Sequence, residues 1–126
     1  MTAAEDVIRR YVAAISAADG ATAAALTADD AVIELPNGTA LEGTEGARQF
    51  AAKHAVTDGQ KRTVTLTSLE TRTPGRFLAT LEMSNRDVAA DERLYSMDVG
   101  SVFEVRDGLI VHQRVFPSAE EAAAAA

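Results

Sequence analysis

The apolar residues of this chain change their spacing once, near its middle, and that change restricts the folds open to it. Val7, Ile8, Tyr11, Val12 and Ile15 form one face of a helix. Asp19-Gly20 interrupts that helix and can cap a second, alanine-rich one over Ala21 to Thr27. Ala31 to Leu35 reads as a short strand ended by Pro36-Asn37-Gly38, and a third helix is expected from Thr44 to about His54. Beyond that point the period is two. Strands are expected over Lys61–Glu70, Phe77–Asn85, Arg93–Val105 and Leu109–Phe116, separated by Pro74-Gly75 and by Arg106-Asp107-Gly108. Helices followed by a meander of strands predict an α+β fold, with helices covering one face of an antiparallel sheet.

The chain has 126 residues, the usual size of one domain. A single domain is expected over residues 1–117, followed by an acidic, alanine-rich tail over 118–126 that can form a frayed helix. Twelve basic residues against nineteen acidic ones give a net charge of −7 with no basic stripe, which argues against nucleic-acid binding. There is no cysteine, so disulfides, thiolate metal sites and cysteine nucleophiles are excluded. The first twenty residues read as an amphipathic helix rather than a secretion signal, and no apolar run is long enough to cross a bilayer. A cytoplasmic protein is the expectation. Two histidines on different elements do not predict a metal site. Gly43, Gly46 and Gly59 lack the context of a phosphate loop, so no cofactor is expected.

Three segments resemble the opening and close of the SnoaL-like and ketosteroid-isomerase-like families. They are Tyr11-Val-Ala-Ala-Ile-Ser-Ala-Ala-Asp19, Leu26-Thr-Ala-Asp-Asp-Ala-Val-Ile-Glu-Leu-Pro36 with Leu41-Glu-Gly43, and Gly100-Ser-Val-Phe-Glu-Val-Arg-Asp-Gly-Leu-Ile110. The resemblance implies a nuclear-transport-factor-2-like (cystatin-like) fold, in which a curved antiparallel sheet and three helices enclose a cone-shaped pocket. It fixes no function, because that scaffold carries unrelated activities.

By the same resemblance, isomerase chemistry takes a carboxylate base, a phenol and a second oxyanion donor. The phenol matches Tyr11, the base falls at Leu35, which takes no proton, and the second donor falls at Ser101. The acids and arginine of limonene-type epoxide hydrolases would fall near Ala79, Leu81 and Val115, none of which is polar. Asp98, the strand acid nearest to a cyclase role, is out of phase with Met97, Val99 and Ser101, as are Glu34, Glu82 and Glu104 with the inward positions of their strands.

The pocket wall expected from this phase comprises Ile15, Ile33, Leu35, Phe50, Val64, Leu66, Phe77, Ala79, Leu81, Met83, Met97, Val99, Phe103 and Val115. Tyr11, Tyr95, Ser101, Gln113 and His54 are its polar members. The competing reading is a filled core, with Tyr11 bonded to a backbone carbonyl and His54 solvated at a helix end. The expected partner is an apolar small molecule. The resemblance adds a homodimer through the outer sheet face, which holds Asp98, Gly100, Val102, Glu104, His112, Arg114 and Phe116. Three functions stay open: an isomerase or cyclase acting on an apolar carbonyl compound through Tyr11 and Ser101, a non-catalytic binder, and a dimerising accessory module.

Overall fold

Apolar faces, caps and turns produce ten elements in a computed structural model that describes residues 2–126. Helices α1 (Ala3–Ser16) and α2 (Gly20–Ala25) lead to strands β1 (Thr27–Glu34) and β2 (Ala40–Glu42), and helix α3 (Gly43–Ala52) follows. Four strands, β3 (Gln60–Thr73), β4 (Arg76–Asp87), β5 (Glu92–Arg106) and β6 (Leu109–Phe116), precede a last helix, α4 (Ala119–Ala125). The strands form one open, curved sheet in the order β2-β1-β6-β5-β4-β3.

The expected α+β architecture is present, with differences that local pattern did not reveal. The strand read at Ala31–Leu35 begins at Thr27, and it runs parallel to β6 in an otherwise antiparallel sheet. Its register with β6 shifts between Thr27 and Val32, around the exposed Asp29 and Asp30, which read locally as a turn. Strand β2 has only three residues at the sheet edge and no burial pattern to announce it. Helix α2 stops at Ala25 and α3 at Ala52, both short of their expected ends.

Helix α1 forms where side-chain caps and an apolar stripe coincide. Thr2 accepts from the Glu5 amide at 3.1 Å, and Val7, Ile8, Tyr11, Val12, Ala14 and Ile15 are buried. That stripe packs with Ile33, Phe77, Phe103 and Ile110 of the strands, each at most 3% exposed. Tyr11 meets Phe103 edge to face, with ring centroids 5.8 Å apart. Full burial of each large side chain contributes roughly 1.5–3 kcal/mol. Lys61 closes the other side: its ammonium donates to the carbonyls of Ser16 and His54 at 2.5 Å and of Arg62 at 2.7 Å, pinning the ends of α1 and α3 to β3.

The tail read as a frayed helix is docked. Ser118 caps α4, and Ala122 is fully buried against Leu78, Val102 and Phe116 on the outer sheet face. The face expected to pair with a second copy is therefore partly covered from within the chain. Gly100 makes this possible, since a Cβ there would lie 2.4 Å from the Ala122 Cβ. A Gly100→Ala protein is expected to release α4 and lose about 1 kcal/mol, a fall of roughly 4 °C in unfolding midpoint. Thermal unfolding with limited proteolysis of the tail reads both effects, and an unchanged midpoint with a protected tail would count against this contact.

Candidate functional site

Between the helices and the sheet the packing leaves a cavity of about 320 Å³. Tyr11, Val12 and Ile15 of α1 form one wall, and Leu81, Met83, Val99, Ser101, Gln113 and Val115 of the strands form the opposite one. Phe50 and His54, at the end of α3, and Arg62 and Val64 of β3 close one side, and Leu35, Pro36, Asn37, Phe116 and Pro117 close the other. Lys53 also borders it. Exposed Lys53, Pro36, Asn37 and Pro117 mark the mouth, whereas Tyr11, His54, Ser101 and Gln113 are buried.

Twelve of the anticipated site residues meet here: Tyr11, Ile15, Leu35, Phe50, His54, Val64, Leu81, Met83, Val99, Ser101, Gln113 and Val115. Ile33, Phe77 and Phe103 do not line the cavity. They are at most 3% exposed and belong to the solid core behind it. Tyr95 and Met97 lie outside it altogether, 45% and 42% exposed. They share the inward phase of β5, but the residues from Glu92 to Asp98 are exposed, extending beyond the cover of the helices. Alternation identifies a face of a strand and not how far that face is covered. Val12, Pro36, Asn37, Lys53, Arg62, Phe116 and Pro117 were not anticipated. Arg62 had a signal, since it shares a phase with Val64.

The polar groups form a short relay. The Tyr11 hydroxyl donates to Gln113 Oε1 at 2.8 Å, and Gln113 Nε2 donates to Ser101 Oγ at 3.3 Å. The Ser101 proton is then left for a ligand. With the amide turned over, Ser101 donates to the amide oxygen and the amide nitrogen to Tyr11, which frees the phenol proton instead. In either arrangement one O–H is left to donate. Burial pushes the Tyr11 phenol far above its ordinary value, so it acts as a neutral donor and not as a phenolate.

His54 is 4% exposed, not solvated as the competing reading had it. Its Nδ1 lies 3.1 Å from the Phe50 carbonyl, which accepts only, so Nδ1 carries the hydrogen and Nε2 is a bare acceptor. Burial lowers its pKa to about 4, helped by the charges of Arg62, Lys61 and Lys53 and opposed by the bond to Phe50. The ring is therefore neutral at pH 7.

Among the described residues no carboxylate lines the cavity. Leu35 puts a methyl surface where the isomerase resemblance places a base, and two of the acids on the other face find partners there. Glu34 meets His112 at 2.5 Å, and Glu104 meets Arg76 at 2.9 Å. Among the described residues, no three His, Cys, Asp or Glu side chains come together as a metal site, and no helix is long and apolar enough to cross a membrane.

Solved structures share this arrangement of elements. A protein of ketosteroid-isomerase-like fold from Catenulispora acidiphila, in complex with trimethylamine, superposes with a TM-score of 0.71 at 16% identity, covering 89% of this chain and 85% of its own. A Mycobacterium tuberculosis protein in complex with estradiol-17β-hemisuccinate gives 0.70 at 22% identity, covering 91% and 93%. A candidate polyketide cyclase from Xanthomonas campestris gives 0.69 at 20% identity, covering 97% and 95%. No curated protein matches the sequence. At these identities the likenesses establish the fold alone. The SnoaL-like domain pattern matches residues 8–113, most of the chain and all of the cavity's polar residues, and the protein belongs to the SnoaL-like family.

Proposed function

We propose that this protein binds an apolar carbonyl compound in the cavity and converts it by proton transfer of the isomerase or cyclase type. The observation that carries this reading is the buried Tyr11–Gln113–Ser101 relay set in an otherwise apolar wall. The relay offers one neutral O–H to a carbonyl oxygen, and such a donor strengthens its bond as negative charge develops on enolisation. His54 Nε2 is the proton acceptor in the same wall. At about 4 its folded-state pKa resembles that of an ordinary carboxylate, so it supplies the basicity that Leu35 lacks.

A Tyr11→Phe protein is expected to remain folded and to turn over roughly tenfold more slowly or worse. Steroids, enones and phenols form the first substrate panel, a choice supported by the estradiol-17β-hemisuccinate held by one structural relative. Unchanged turnover in that variant would remove Tyr11 from the mechanism.

The cavity's lack of a carboxylate favours a second reading, a binder without catalysis. Saturable binding with no product by mass spectrometry would establish it, and product formation would exclude it. We retain a cytoplasmic location as part of the proposal. A homodimer through the outer sheet face would have to include or displace α4, since Val102 and Phe116 already lie beneath it.

A further inference from the structure

The charge at the cavity is opposite to that of the molecule. The chain carries a net charge of −7, yet among the described residues the only charged side chains lining the cavity are those of Lys53 and Arg62. Both also line the adjoining surface groove, which puts Arg62 beside Lys53 at the mouth, Lys53 exposed and Arg62 half-buried. Neither pairs with a carboxylate among the described residues. Asp58 borders the adjoining groove with them, within ion-pair distance of neither. Neighbouring Lys61 is different, since backbone carbonyls engage its ammonium. The field of the mouth reaches inward, for both cations help to keep the His54 ring unprotonated.

We infer that the cavity takes a ligand with an apolar body and a terminal carboxylate, the carboxylate held at the mouth by Arg62 and Lys53 while the body reaches the Tyr11–Gln113–Ser101 relay. This rests on the reading of the cavity as a ligand site. A guanidinium matches a carboxylate with two parallel donors, and a half-buried one has already lost part of its water, so the pair is stronger than an ordinary surface contact. The walls between the two ends are apolar, which rules against a ligand that is polar throughout. A cationic ligand is disfavoured at the mouth for the same reason that an anionic one is favoured.

The test is calorimetric titration of the intact protein with two probes of one shape, 2-acetylnaphthalene and 6-acetyl-2-naphthoic acid. The acid is expected to bind about tenfold more tightly, a difference of 1.4 kcal/mol that shrinks as salt is raised. In Arg62→Gln combined with Lys53→Gln, the ratio of the two affinities is expected to fall close to one. Arg62→Glu, a second substitution at a partly exposed site, is expected to invert it, and thermal unfolding checks that each variant is folded. If the ketone binds and the acid binds no better, or if the acid's advantage survives the double substitution, the carboxylate assignment is overturned. If neither probe binds wild type, the cavity is not a site for such aryl ketones, and the functional reading falls together with this one.

Discussion

A Gln113→Leu protein is expected to lose about 2–4 kcal/mol of stability and to hold a carbonyl ligand less tightly, because neither hydroxyl is any longer held in place. Gln113 is 4% exposed and is the side-chain partner of both the Tyr11 hydroxyl and the Ser101 hydroxyl. Leucine is close to glutamine in volume, so the cost comes from polarity and not from a hole. Each of the two remaining hydroxyls would lose its partner in a dry wall, at about 1–3 kcal/mol apiece, reduced where a cavity water replaces the amide. Urea unfolding gives the stability change. Calorimetry with the naphthyl ketone gives the affinity change, which is expected to be smaller than that of Ser101→Ala, since leucine removes no O–H donor and only the group that orients both. A Gln113→Leu protein as stable as wild type would mean that the relay is bridged by water throughout.

The second large effect belongs to His54. The folded protein holds this ring at about 4, against an ordinary value of 6.5. Because the folded value is the lower one, falling pH protonates the unfolded chain first. The contribution to stability is complete above pH 6.5 and is lost as pH falls toward 4. By pH 5 the loss amounts to about 2 kcal/mol. The groups that set it are the apolar wall around the ring and the cations Arg62, Lys61 and Lys53, so raised salt should trim the share that exposed Lys53 supplies. In His54→Gln, whose amide can still donate to the Phe50 carbonyl, that drop between pH 7 and pH 5 is expected to vanish in chemical denaturation. If His54 is also the proton acceptor, the same variant turns over roughly a hundredfold more slowly while still binding ligand. Equal acid sensitivity in the two proteins would sink the account of the ring as a buried neutral base.

Much of the fold was legible because its causes are local. The stripe from Val7 to Ile15 is buried as its helical spacing required, and the turns at Gly75 and Gly108 adopt the positive φ that glycine tolerates. Phase along β4, β5 and β6 brought Leu81, Met83, Val99, Ser101, Gln113 and Val115 into one wall. The same phase could not tell cavity from core, or covered strand from overhang. Phe77 and Phe103 are solid core, while Tyr95 and Met97 point inward along a stretch with nothing above it.

The sequence by itself determined most of the element types, the inward faces and the polar groups of the cavity wall, because spacing, caps and side-chain chemistry act within a few residues. Only the tertiary structure decided that Tyr11, Gln113 and Ser101 join across α1, β6 and β5, residues 102 positions apart in the case of Tyr11 and Gln113. It also set β1 parallel to β6, laid α4 over Gly100 and brought Lys53 and Arg62 to one mouth. Those relations depend on how far each helix reaches across the sheet and on which glycine leaves room beneath it. They are properties of packed surfaces, which a pattern along the chain does not contain.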